Sequence, residues 1–298
     1  MVNLVKLSKE DYYYDICSLS KKEMEKFLIE ARKNWKKAVQ KAKISDYMKD
    51  MILNEKVRGK LVGFMEKELK IAKKSKVLDI GAGMGALTLA IARRFKTSAT
   101  DANLLSLKFV KYRAEQEKVR LNLYKTSPLH KGLPFKKESF DVVVMNGVLE
   151  WVAVGFPNIG RVKKVQEKVL KEVNRILKEK GILILAIENR LAIDWFKGKT
   201  SHTNIKYIDL VPRRIADIIS LIKTRRRFKN YIYSKRGYKK LLRKTDFSDL
   251  IFYEAFPNYQ KPQKIRKTRN LFINSFIIVA RKEGNKDGTK RRRSKKRI

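Results

Sequence analysis

The sequence predicts an α/β fold in which a mostly parallel sheet holds a nucleoside site at the carboxyl ends of its strands. Three observations predict it. Residues 77–85 read Val-Leu-Asp-Ile-Gly-Ala-Gly-Met-Gly, an apolar run that ends in an acid and three alternating glycines. Asp101, about twenty residues further on, closes a second candidate strand at 97–100, where a carboxylate can bind ribose hydroxyls. Residues 142–145 (VVVM) are consecutive apolar positions, which suits a strand buried on both faces.

The elements follow in order. Residues 1–70 read as an appended helical segment. Ser20-Lys21-Lys22-Glu23 is a capping box, after which Met24, Phe27, Leu28, Ala31 and Trp35 recur at helical spacing as far as residue 42. A second helix is expected over 46–71. The apolar stripe either packs on the core or covers the ligand site, and the tyrosines at 12–14 either stack on a base or pack amphipathically. The core follows over 71–190. Strand 77–80 enters a turn whose glycines let a ligand approach bare backbone. The helix at 86–95 opens toward that ligand. Strands are expected at 97–100, 121–124 and 139–146. A helix at 165–177 is stopped by residues 178–181, with Gly181 as the C′ residue, and strand 182–187 follows. Residues 191–245 exceed a simple crossover and read as a substrate-binding insertion. Residues 246–282 bring an antiparallel pair at 250–256 and 272–280. Residues 283–298 form a basic tail, expected to be disordered because almost nothing apolar offsets the ordering entropy.

The segment Gly81-Ala82-Gly83-Met84-Gly85-Ala86 also satisfies a loose dinucleotide pattern, which leaves NAD open. Asp79 inside the first strand and Gly85 as third glycine give the spacing D-x-G-x-G-x-G. In this the chain resembles the class I S-adenosylmethionine-dependent methyltransferases. Gly147-Val148-Leu149-Glu150-Trp151-Val152 resembles a stretch common in their small-molecule branch. Glu188-Asn189-Arg190, Pro212-Arg213-Arg214 and residues 233–242 are similar to an archaeal and bacterial subgroup. The resemblance implies a Rossmann-like sheet of seven strands, mostly parallel, with an antiparallel last strand, N-terminal helices and a helical insertion. It implies S-adenosylmethionine as cofactor, with Gly81, Gly83 and Gly85 near its methionine part. Asp79 would orient the amino group or the loop, and Asp101 the ribose. Ala102, Ser127 and Asn146 would line the same pocket. Many relatives carry an acid after the third strand, where this chain has Lys125-Thr126-Ser127-Pro128. Ser127 or backbone would then meet the adenine. Glu150, Trp151, Asn189, Arg190, Arg213, Arg214 and Tyr238 are the residues expected at the acceptor, with a strand-end hydrogen-bond and ion-pair network as the competing reading of Glu188, Asn189 and Arg190. Glu188 and His202 are the candidate bases.

Charge is the second strong signal. The net charge is +42, spread along the whole chain. Such a field concentrates polyanions. It points to an anionic small molecule, a glycan or lipid-linked intermediate, RNA, DNA or a membrane surface touched peripherally; plain compositional bias is the competing explanation. Because the cofactor's sulfonium is cationic, Asp79, Asp101 and Glu150 are expected to keep the pocket less positive than the surface. Tyr231, Tyr233 and Tyr238 interleave with cations in the insertion, which suits either nucleic-acid stacking or a solvated face. Cys17 is alone, and with only two histidines a Cys/His metal cluster is excluded. No apolar run approaches the roughly 20 residues of a membrane helix and no signal peptide is recognisable, so a cytoplasmic site of action is expected. The N-P-P-Y type motif that positions amino nitrogens is absent, since Asn146 precedes Gly147-Val148. These signals leave three readings: an enzyme methylating a small-molecule, glycan or lipid-linked acceptor; an RNA or DNA methyltransferase; or a basic binding module that keeps the cofactor fold without turnover.

Overall fold

Valine and isoleucine alternate sides along the central strands, so every strand buries two faces, and helices must cover both. In a computed structural model describing residues 2–7, 18–126, 129–154, 161–200 and 204–284, strand β2 (Lys76–Ile80) lies between β3 (Lys96–Asp101) and β5 (Phe140–Asn146), parallel to both. Leu78, Ile80, Val143, Met145, Leu183 and Leu185 point to one side, against helices α7 (Val162–Ile176) and α10 (Lys235–Arg243). Val77, Val142, Val144, Ile182 and Ile184 point to the other, against α4 (Glu55–Lys67) and α5 (Ala86–Ala92).

Strands β1 (Val2–Lys6), β4 (Leu121–Lys125), β6 (Leu177–Glu188), β7 (Phe247–Phe256), β8 (Lys264–Lys267) and β9 (Ser275–Lys282) complete a sheet ordered β1-β4-β3-β2-β5-β6-β9-β7-β8. The seven strands expected from the sequence are all present, and β9 runs antiparallel between β6 and β7. Two strands were unforeseen. β1 pairs in parallel with β4, and β8 adds antiparallel to β7 at the opposite edge. The N-terminal segment is therefore not wholly helical.

Two further expectations change. The anticipated long N-terminal helices are each broken. Asn34 ends α1 (Lys21–Lys33) and caps α2 (Trp35–Lys41) by accepting from the Lys37 N–H; Asn54 separates α3 (Asp46–Leu53) from α4. The capping box at Ser20 and Glu23 forms as expected. After α7 the left-handed residue is Lys180 (φ 59°), not Gly181. A side chain at 181 would meet the Lys178 carbonyl at 2.8 Å, so the glycine answers close packing rather than a left-handed cap.

The N-terminal helices lie on α6 (Leu104–Gln116) and on the glycine turn. Met24, Phe27, Leu28, Ala31 and Trp35 form one apolar cluster with Met84 and Phe109. Buried Arg113 ties the layers together, stacking 4.0 Å over Trp35, donating to the Ile52 carbonyl, and pairing with Glu55 and Glu117. The expected stripe thus packs on the core and covers the turn at once. The insertion after β6 contains α8 (Ile193–Phe196) and α9 (Arg213–Thr224), ahead of the crossover helix α10.

Candidate active site

The turn after β2 is shaped by three left-handed glycines, Gly81 (φ 81°), Gly83 (φ 52°) and Gly85 (φ 75°). Their surroundings differ. A β-carbon on Gly81 would strike Val148 at 2.5 Å, and one on Gly85 would strike Val110 at 2.8 Å, whereas one on Gly83 would meet nothing within 4 Å. Gly81 and Gly85 are thus required by packing, and Gly83 opens onto a cradle. The N–H groups of Gly81 and Ala82 both donate to the Thr100 carbonyl, which pins the turn to the end of β3.

Two acids fix this turn. Asp101, buried at the end of β3, accepts from the Gly83 N–H at 2.9 Å and from the Asn103 N–H at 2.8 Å. Asp79, buried in β2, accepts from the Thr88 hydroxyl of α5 at 2.6 Å. Burial pushes the Asp79 carboxyl up to about 6, with Asp101 adding to the rise and Thr88 and Arg58 opposing it. Asp79 thereby ties β2 to the first turn of α5. Ala102 is half-buried beside Asp101. Ser127 lies outside the described residues. In the same region Lys125 is fully buried and pairs in register with Asp101.

A residue that sequence reasoning missed completes this end. Arg58 of α4 carries buried Nε and Nη1 atoms with no hydrogen-bond partner among the described residues; its other contact is Nη2 to the Met51 sulfur at 3.6 Å. Burial lowers its pKa, opposed by the nearby Tyr259, Tyr47 and Asp79. An orphaned guanidinium in a closed space is costly unless an anion reaches it. Nothing marked it among the chain's 72 lysines and arginines.

At the carboxyl ends of β5 and β6 a second group converges. Asn146 has a buried Oδ1 without a partner among the described residues. Gly147 (φ 68°) follows, and a β-carbon there would lie 2.6 Å from the Tyr259 hydroxyl, so only glycine admits the phenol. Tyr259 is buried, its hydroxyl 3.5 Å from Glu150 Oε1 and its backbone N–H on the Ser275 hydroxyl. Burial drives the Tyr259 phenol well above its usual range, helped by Glu150 and Glu188, so it is protonated at neutral pH. The Tyr238 hydroxyl donates to the Glu188 carbonyl at 2.9 Å, and burial raises its pKa likewise. The structure thus brings Glu150, Glu188, Tyr238 and Tyr259 together. Tyr259 is a further residue that sequence reasoning gave no role.

The other expected acceptor contacts fare differently. The buried Asn189 side chain donates to the Leu271 and Ile273 carbonyls, both at 2.7 Å. Arg190 donates to the carbonyls of Asp209, Leu210 and Val211. Arg213 donates to the Ile232 carbonyl, pairs with Asp209 and stacks over Tyr231 and Phe228. Asn189 thus holds the chain at 271–273, Arg190 holds residues 209–211 at the strand end, and Arg213 braces the insertion internally. Tyr233 donates to Gln166, and Tyr238 is fully buried, so the tyrosines form no stacking platform. Trp151 and Arg214 are exposed. His202 lies outside the described residues, as do the tyrosines at 12–14 and residues 285–298 of the basic tail.

The N-terminal layer is fastened across this site. Tyr47 of α3 donates to Gln260, Asp50 pairs with Lys261, and the Lys261 ammonium sits 4.4 Å from the Tyr47 ring centre. The segment bearing Tyr259 is thereby linked to the helices above the glycine turn.

Residues 78–185 match the family described as the methyltransferase domain. A stretch of 129 residues is 33% identical to an uncharacterized protein of Methanocaldococcus jannaschii, over 43% of this chain and 48% of that one. Another, of 132 residues, is 30% identical to an uncharacterized protein of Rickettsia prowazekii, over 43% and 47%. The chain thus matches about half the length of these curated relatives. Among solved structures, an S-adenosylmethionine-dependent methyltransferase from Clostridium acetobutylicum shares the fold at TM-score 0.55 and 13% identity, over 80% of this chain and 97% of that one. The match assigns residues 78–185 to a methyltransferase domain, and the solved structure shares its fold; S-adenosylmethionine is the cofactor that such a domain uses. The residues present fit it: open space at Gly83, acids beside it, and two buried guanidinium nitrogens of Arg58 with no hydrogen-bond partner among the described residues.

Proposed function

We propose that the protein transfers a methyl group from S-adenosylmethionine to a small-molecule, glycan or lipid-linked acceptor. The observation that carries this is the gathering of Glu150, Glu188 and Tyr259 around Asn146 and Gly147, at the strand ends where ligands of open α/β sheets bind. Bound there, the cofactor supplies an electrophilic methyl on a cationic sulfur, so its leaving group needs no acid. The protein's work is then alignment and, for an oxygen nucleophile, removal of a proton. Glu188 is the group we assign to that proton. The neutral Tyr259 hydroxyl would orient the acceptor. Asp101 would hold the ribose, Gly83 would admit the methionine part, and Arg58 would meet its carboxylate. The acids sit at the reacting atom, while the chain's +42 charge favours an acceptor whose remote part is anionic.

A nucleic-acid acceptor has less support, because the insertion's tyrosines are engaged within the protein. Incubation with methyl-labelled cofactor and separated lipid, glycan, RNA and DNA fractions tests the reading. Label should enter lipid or glycan, and Glu188→Gln should suppress it while S-adenosylhomocysteine binding persists. Label confined to RNA or DNA would establish the alternative substrate class. Cofactor binding without label in any fraction would establish a module without turnover.

A further inference from the structure

Helix α9 is apolar on two sides. Ala216 and Ser220 face inward and are buried. On the opposite side Ile215, Ile218, Leu221 and Ile222 are 47%, 57%, 39% and 77% exposed, with no described residue covering them. At 100° per residue these four fall within one stripe of the helix. Exposed β-branched side chains in the last turns of a helix serve neither its propensity nor the core. Cations flank the stripe: Arg214 on the helix, and Arg225, Arg226 and Arg227 immediately after it, are exposed, Arg227 pairing with Asp217.

A second apolar group lies at the same sheet end. Phe196 of α8 and Phe272 before β9 are each more than half exposed, and the two segments are joined by the Ile193 N–H donating to the Phe272 carbonyl. Both groups hang from the carboxyl end of β6. Asn189 holds the chain at 271–273, and Arg190 holds the residues just before α9.

We propose that α9 docks the protein on an anionic lipid bilayer, its isoleucines entering the headgroup boundary and its arginines meeting lipid phosphates. An aliphatic stripe rimmed by cations has the chemistry of an interfacial helix. Nucleic acid would call for aromatic or polar groups on the helix itself in place of its four aliphatic side chains. A second copy would bring one cationic rim against another. The docking stands apart from methyl transfer, although it would bring the site's mouth to a lipid-linked acceptor.

Co-sedimentation of the full chain with vesicles of mixed phosphatidylglycerol and phosphatidylcholine, against phosphatidylcholine alone, tests it. Binding should need the anionic lipid, and Ile218→Ser/Ile222→Ser should weaken it roughly tenfold or more. Both positions are exposed, so the melting temperature and S-adenosylhomocysteine binding should not change, and a failed reading of the enzyme would not disturb this readout. No binding by the wild-type chain, or equal binding by the double variant, would overturn the proposal. So would a double variant that loses concentration-dependent self-association or RNA binding instead, since a second copy or RNA would then be the occupant.

Discussion

The Thr88 hydroxyl donates to the Asp79 carboxylate at 2.6 Å, which joins the first turn of α5 to the middle of β2 beneath the cofactor turn. Asp79 is thereby held charged against burial, with its folded pKa at about 6 instead of the usual 3.8. Because the folded state binds the extra proton between these values, stability falls as pH rises through that window and is level above it. Asp79→Asn should therefore stabilise the cofactor-free protein at pH 7.5 by about 1–3 kcal/mol, and by much less at pH 4. Urea denaturation at the two pH values measures the difference.

Arg58 should behave in the opposite way to an ordinary structural arginine. Its buried Nε and Nη1 have no hydrogen-bond partner among the described residues. Arg58→Met should leave the cofactor-free stability within about 1 kcal/mol. It should weaken S-adenosylhomocysteine binding by roughly tenfold or more, the scale of a charge-assisted hydrogen bond. Calorimetric titration beside thermal melting separates the two effects.

The glycines divide by what surrounds them. At Gly83 a β-carbon meets open space, so Gly83→Ala should cost about 1–2 kcal/mol for the left-handed backbone and still fold, with cofactor binding lost. At Gly85 the same change adds a collision with Val110, and the loss should reach about 2–4 kcal/mol. Denaturation midpoints of the two variants should rank in that order.

The contacts from α3 to Gln260 and Lys261 are partly exposed and should add under about 1 kcal/mol to stability. Their effect should appear in rates. Asp50→Asn with Lys261→Met should speed dissociation of S-adenosylhomocysteine several-fold with little change in melting temperature, read by stopped-flow displacement. An unchanged dissociation rate would mean that this layer does not gate the pocket.

Much of the frame was legible because its signals are local. Asp79, the three glycines and Asp101 declare a turn whose geometry few other residues permit, and the run at 142–145 declares a doubly buried strand. What escaped was set by distant partners. β1 is five residues ahead of helices α1 to α4, and its pairing with β4 makes it a strand. Arg58 is one cation among many until its environment is known. Asn189, Arg190 and Arg213 sit where ligand-binding residues sit. Backbone carbonyls, however, reach the same place, those of residues 271 and 273 for Asn189 and those of the insertion for Arg190 and Arg213, and they take the donors. Tyr259 depends on Gly147 making room for it, a relation between residues more than a hundred positions apart that neither segment displays alone.

β1 also determines what the sheet presents to other molecules. A bare strand edge is a template on which another chain can grow. Here the outermost strand on that side is short and bears lysine at its end, while β4 behind it is fully paired. Removing residues 1–7 would uncover the backbone of Leu121–Lys125, a strand with apolar residues buried on alternate positions. The truncated protein should then self-associate on standing, by adding strands side by side, even where its pocket is intact.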